Sequence, residues 1–171
     1  IDPLPFYKHL ITDNIAPHAT HIMVYGAKGD GKVTSAIDSK EVKEMDGKII
    51  FNSQLSSLIT AWGRISAAIS ANDYMNGTTN NYGVRYVRLY VDDQLVSSSD
   101  VDRFSFDENR LINSWTDYAE QRRSGRWYMR SAIAENNDLR MLRADTDRGW
   151  VTINEERDYH FRYELEDLYG N

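Results

Sequence analysis

The sequence predicts an all-β fold, an antiparallel β-sandwich with one inserted amphipathic helix at about 107–123. Three observations carry that prediction. Short stretches of alternating apolar and polar residues recur along the chain, and turn-forming clusters separate them. One stretch, Phe104 to Tyr118, replaces the period of two with a helical one. A length of 171 residues suits a single domain able to bury a sizeable core.

The segment from Ile1 to Pro17 holds all three prolines and reads as a linker spanning 1–18, with the sandwich at 19–171. His21 to Tyr25 is the first strand candidate. Gly26 to Gly47 is polar, carries four of the ten glycines and predicts a long surface excursion. In Arg64 to Ser70, Ile65, Ala67 and Ile69 alternate with polar or small residues. In Val84 to Val91, Val87, Leu89 and Val91 face one way and Tyr86, Arg88 and Tyr90 the other. Asp92-Asp93 should then turn the chain into Leu95-Val96 as a hairpin. Further strands are expected at Trp127 to Ile133, Leu139 to Leu142, Trp150 to Ile153 and Tyr159 to Leu165.

The helix has its own signals. Asp107 or Asn109 can cap it, and Asp107 and Glu108 sit where the helix dipole favours negative charge. Leu111, Ile112, Trp115, Tyr118 and Ala119 recur at helical spacing, and Arg122, Arg123 and Gly125 supply a stop. A helix in a sandwich covers a sheet edge or builds a contact surface. The candidate contact surface is Trp115, Tyr118, Arg122, Arg123, Arg126 and Trp127.

A formal charge of −6 argues against general attraction to nucleic acid or anionic membranes. No apolar run reaches the roughly 20 residues that span a bilayer, so no membrane insertion is expected. The first residues lack the basic start and apolar core of a signal peptide. The absence of cysteine excludes disulfides and thiolate metal sites.

Gly26-Ala-Lys-Gly-Asp-Gly-Lys32 fits the G-x-x-x-x-G-K spacing of a phosphate loop. Val33, however, stands where a metal-binding hydroxyl belongs, and Asp30 would oppose phosphate. A Gly-rich surface loop is the better reading, with nucleotide binding as a lesser alternative. His9, His18, His21 and His160 match no metal motif and read as surface or linker residues. Asp73, Asn76, Asn80 and Asn81 offer oxygens in one loop, but one carboxylate is a poor endowment for calcium. A hydrogen-bonded structural loop is expected instead. Asp100, Asp102, Asp107 and Glu108 read as a solvated face or the helix start. Of Trp62, Trp115, Trp127 and Trp150, at least two are expected in the core; exposed ones would suit a carbohydrate platform.

Several segments are familiar as a set: Ile1-Asp-Pro-Leu-Pro-Phe, Asp13-Asn-Ile-Ala-Pro17, Ile22-Met-Val-Tyr25, Asp73-Tyr-Met-Asn-Gly77, Asn81-Tyr-Gly-Val-Arg-Tyr86, Phe104 to Tyr118 and Asp167-Leu-Tyr-Gly-Asn171. In order and extent they resemble the non-catalytic C-terminal region of Gram-negative lysostaphin-type (LytM-like) zinc metallopeptidases of the cell envelope. The resemblance implies an immunoglobulin-like sandwich acting as an accessory module to a peptidoglycan metalloendopeptidase. It implies a cell-envelope location, periplasmic or outer-membrane associated. It also implies zinc only in an upstream catalytic domain, no catalytic, cofactor or metal residues in this chain, and no nucleic-acid partner. The partners implied are that catalytic domain and either peptidoglycan or an envelope protein. In related chains the D-x-x-G-N turn leads into one more strand, so a closing strand is expected to be missing here. The alternative function is a carbohydrate- or peptidoglycan-binding sandwich.

Overall fold

The computed structural model describes residues 3–36, 41–55 and 58–171. Among the described residues, ten strands form two antiparallel sheets, the sandwich class that the alternating pattern predicts. The first sheet runs β2 (Val42–Met45), β3 (Lys48–Asn52), β1 (His18–Ser35) and β4 (Ile59–Asn72). Two short strands share the far edge of β4: β7 (Met129–Arg130) at Ala68 and Ile69, and β9 (Val151–Ile153) at Gly63 to Ile65. The second sheet is β10 (Phe161–Glu166), β5 (Tyr86–Val91), β6 (Gln94–Asp100) and β8 (Leu142–Ala144).

Between the sheets, Ala67 and Ile69 of β4 meet Val87, Leu89 and Val91 of β5 and the rings of Phe161 and Tyr163, while Ile65 packs with Val33, Ile49, Phe51 and Ile153. The expected alternation in β5 is observed, with its odd-numbered residues buried and its even-numbered ones half-exposed. Asp92 and Asp93 make the predicted two-residue turn; both adopt positive φ, 49° and 64°, as a type I′ hairpin requires.

Three expectations need correction. β1 extends through most of the predicted glycine-rich excursion, and β2 occupies part of the remainder; residues 37–40 lie outside the described residues. Glycines 26 and 31 flank a bulge in β1, pairing with Ile65 and Gly63 of β4. A Cβ on Gly31 would lie 2.1 Å from the Arg64 carbonyl oxygen, so only glycine allows this approach. Lys32 then continues as strand opposite Trp62, where a phosphate loop would open a helix. Nucleotide binding by Gly26 to Lys32 has no local frame.

Second, the helical segment is broken. A 3₁₀ turn at Asn109–Leu111 and α2 (Ile112–Trp115) end at Thr116, whose backbone is extended and bridges to Met129. α3 (Tyr118–Ser124) restarts from Asp117, whose side chain accepts from the Glu120 N–H, and stops at Gly125 with φ 76°. The break rotates α3, so Leu111, Ile112 and Trp115 pack inward while Tyr118 and Ala119 face solvent. Neither Asp107 nor Asn109 caps the first piece. Ser105 N–H donates to Glu108 Oε2 (2.7 Å) and Glu108 N–H to Ser105 Oγ (3.4 Å), a reciprocal capping box.

Third, β4 is buried on both faces along Ile65 to Ser70. Its outer side, with Met23, Tyr25 and Ile50, is covered by Tyr128, Ala132 and Trp150 from the chain that follows the helices. Tyr128 is 1% exposed, and burying such a ring contributes about 2 kcal/mol. β3, whose Ile49, Ile50 and Phe51 are all buried, escapes the sequence reading because three adjacent apolar residues show no period. The leading segment carries one helical turn, α1 (Leu4–Tyr7), before His18 opens β1.

Candidate functional site

Three aspartates far apart in sequence converge at one end of the sandwich. Asp13 precedes β1, Asp73 follows β4 and Asp167 follows β10, and one carboxylate oxygen from each lies within 4.8 Å of the others. All three are buried. Each is oriented by the backbone after it: Asp13 Oδ1 accepts from Ile15 N–H (3.1 Å), Asp73 Oδ1 from Tyr74 N–H (2.9 Å) and Asp167 Oδ1 from Tyr169 N–H (2.8 Å). Asn171 completes the arrangement. Its N–H and side-chain amide both donate to Asp167 at 2.8 Å, and the same amide donates to Asp13 O at 3.1 Å.

The electrostatics are those of crowded, partly desolvated carboxylates. Asp73 is pushed up from 3.8 to about 6, first by burial and then by the neighbouring charges of Asp167 and Asp13, with the Tyr74 N–H opposing. Oxygen-only donors of this kind suit a hard divalent cation, so these are the described residues that could hold a metal. The sequence groups Asp73 with Asn76, Asn80 and Asn81; the fold places it with Asp13 and Asp167 instead. Asn80 N–H bonds to Thr78 Oγ1 (2.9 Å) and its amide to Tyr82, as a structural loop does. Periodicity could not reveal the trio, because its members are 60 and 94 positions apart. The only sequence hint is that each aspartate begins a turn.

A second buried acidic group, Asp117, sits between the helices and the outer face of the first sheet. It is ion-paired with Lys48, lies 3.8 Å from Arg130, and caps α3. Burial pushes its carboxyl up, but the Lys48 ammonium and the Glu120 N–H outweigh this and leave it below the ordinary value.

Of the predicted contact surface, Trp115 is core, packed with Leu139, Met141 and Leu142, and is withdrawn from the surface. Tyr118 and Trp127 are each 51% exposed, and Arg122, Arg123 and Arg126 also face solvent. Arg123 is held by buried Glu120. The other sequence candidates disperse. Asp100 pairs with Arg85 at 2.7 Å and Glu108 with Arg140 at 3.2 Å, while Asp107 stands exposed. His9, His18 and His160 are exposed, and His21 is half-buried and feels the positive charge of Arg126. Trp150 packs on the core beside Tyr25, leaving Trp62 and Trp127 outside. Among the described residues, no helix is long and apolar enough to cross a membrane. Neither a protein-family model, nor a curated protein, nor a solved structure matches this chain.

Proposed function

We propose that the chain is a non-catalytic accessory module of a cell-envelope peptidoglycan metalloendopeptidase, positioning a preceding catalytic domain or docking a partner. The observation that carries this reading is the clamp between the leading segment and the closing turn. Lys8 Nζ donates to Leu168 O at 2.7 Å, and Asn171 grips Asp13 O beside the three carboxylates. A segment tied at both places leaves the sandwich in one direction, as a spacer that orients a neighbour must. The family resemblance supplies the enzymatic context, and zinc would belong to the catalytic domain. Docking would use the exposed rings and guanidiniums of Tyr118, Arg122, Arg123, Arg126 and Trp127.

The test is incubation of purified sacculi with residues 1–171, with and without zinc. The expected outcome is no release of soluble muropeptides in either case. Zinc-dependent release by this chain alone would overturn the reading.

Exposure of Trp62 and Trp127, 56% and 51%, favours a second reading as a carbohydrate-binding module. The rings cannot share one platform. Trp62 lies seven residues before Ile69, which pairs with Met129, two residues after Trp127, a span of roughly 23 Å along β4. Each would act as a single stacking ring. Retention on insoluble peptidoglycan that Trp127→Ala abolishes would support this alternative.

A further inference from the structure

β10 closes one edge of the second sheet, paired with β5 on one side and, among the described residues, with no strand on the other. It runs six residues without proline, glycine or a shift in register. The other edge strands, β2, β7, β8 and β9, are two to four residues long. Short edges limit pairing with another chain, and a long regular edge invites it.

The register fixes which backbone groups stay open. Asp92 N–H donates to His160 O at 3.0 Å, and Tyr90 and Arg88 stand opposite Arg162 and Glu164. Antiparallel alternation therefore turns the N–H and C=O of His160, Arg162 and Glu164 toward β5. Those of Phe161, Tyr163 and Leu165 point away from the sheet. The side chains report the same open flank. Val87, Leu89 and Val91 of β5 are buried, while Phe161, Tyr163 and Leu165 opposite them are only half-buried.

On the outer face the edge reads His160, Arg162, Glu164, Glu166, basic groups first and acids after. That order is self-complementary in an antiparallel pair. With a two-fold axis at Tyr163, Arg162 of each copy faces Glu164 of the other, and His160 faces Glu166. Phe161 then meets Leu165, and the open backbone groups of both strands bond to one another. Slipping by two residues sets Arg162 against Arg162 in one direction and Glu164 against Glu164 in the other, and like charges directly opposite are destabilising. A slip of one residue sets open backbone groups against those already bonded to β5.

We infer that β10 pairs with β10 of a second copy of this chain, joining the two four-stranded sheets into one across a two-fold axis at Tyr163. The inference rests on this edge alone and is independent of the accessory-module reading.

Sedimentation equilibrium of residues 1–171 tests it. A monomer–dimer equilibrium with a midpoint of about 10–100 μM is expected, as suits a small interface. Arg162→Glu and Glu164→Arg should each weaken association at least about tenfold, because each sets like charges opposite one another on both sides of the axis. An equimolar mixture of the two variants should dimerise like the wild type, since each strand then supplies the charge the other lacks. Both side chains face solvent, at 47% and 42% exposure, so the variants should keep the wild-type circular dichroism spectrum. Amide exchange at Phe161, Tyr163 and Leu165 should slow as the wild-type concentration rises. A chain still monomeric at about 1 mM would overturn the inference. So would a dimer that both variants leave intact, a mixture of variants that stays monomeric, or exchange at these three amides that ignores concentration.

Discussion

Asp117 and Asp73 are the same residue type, both buried, at 4% and 7% exposure, yet their carboxyls move in opposite directions. Burial at similar depth pushes both up. At Asp117 that push is outweighed, because Lys48 and Arg130 stand beside it and the Glu120 amide binds it. At Asp73 it is reinforced by two more aspartates, and the carboxyl rises to about 6. The sign is decided by the counter-charges. One site is a finished ion pair that pins a helix to a sheet. The other is an unbalanced cluster that joins the two ends of the domain.

Removing Asp117 should therefore have the largest effect. Asp117→Ala strands Lys48 and Arg130 and deletes the cap of α3, and should cost about 3 to 5 kcal/mol in urea denaturation at pH 7. A loss below about 1 kcal/mol would erase the contrast between the two sites. The acid limb tests it further. Because the folded carboxyl lies below its unfolded value near 4, this contribution is present at neutral pH. It is lost as pH falls below about 4 through the folded value.

Asp73→Asn should act with the opposite sign. The folded carboxyl holds its proton up to about pH 6 and the unfolded one only to about 4, so stability falls as pH rises across that window. Removing the charge should raise stability at pH 7 by about 2 kcal/mol and flatten the slope between pH 4 and 6. Destabilisation instead would mean that the cluster is neutralised in solution, as a bound hard cation would do.

Lys48→Met tests the compensated site more gently. Arg130 and the capping amide remain, so a cost of about 1 to 2 kcal/mol is expected, with the Asp117 titration in carbon-detected NMR moving upward. The smallest effect belongs to the bare outer face of the second sheet. There Arg162 stacks over Tyr90 at 4.4 Å and reaches Asp93 at 3.4 Å in open solvent. Arg162→Ala should change the midpoint by less than about 0.5 kcal/mol, because exposed pairs are weak and screened.

Much of the second sheet is legible in the sequence. The alternation in Tyr86 to Val91 and Tyr159 to Leu165 and the Asp-Asp turn are local signals, and each maps onto one strand or one turn. The first sheet is less legible. Ile49 to Phe51 have no period, and the glycine-rich stretch up to Ser35 has none either, because its strand conformation is imposed by pairing with β4. Trp115 reads as a contact residue because helical spacing does not say which face meets the protein. Thr116 and Asp117 read as mid-helix, yet they are where the helix breaks and the buried ion pair forms.

Local patterns were enough for the fold class, the hairpin and the helical character of the stretch around 109–124, because these depend on neighbours within a few residues. The meeting of Asp13, Asp73 and Asp167 in one site, and the contrary behaviour of Asp117, came from chain closure. A carboxyl responds to charges brought within a few ångströms of it, and no run of adjacent residues records which distant ones those will be.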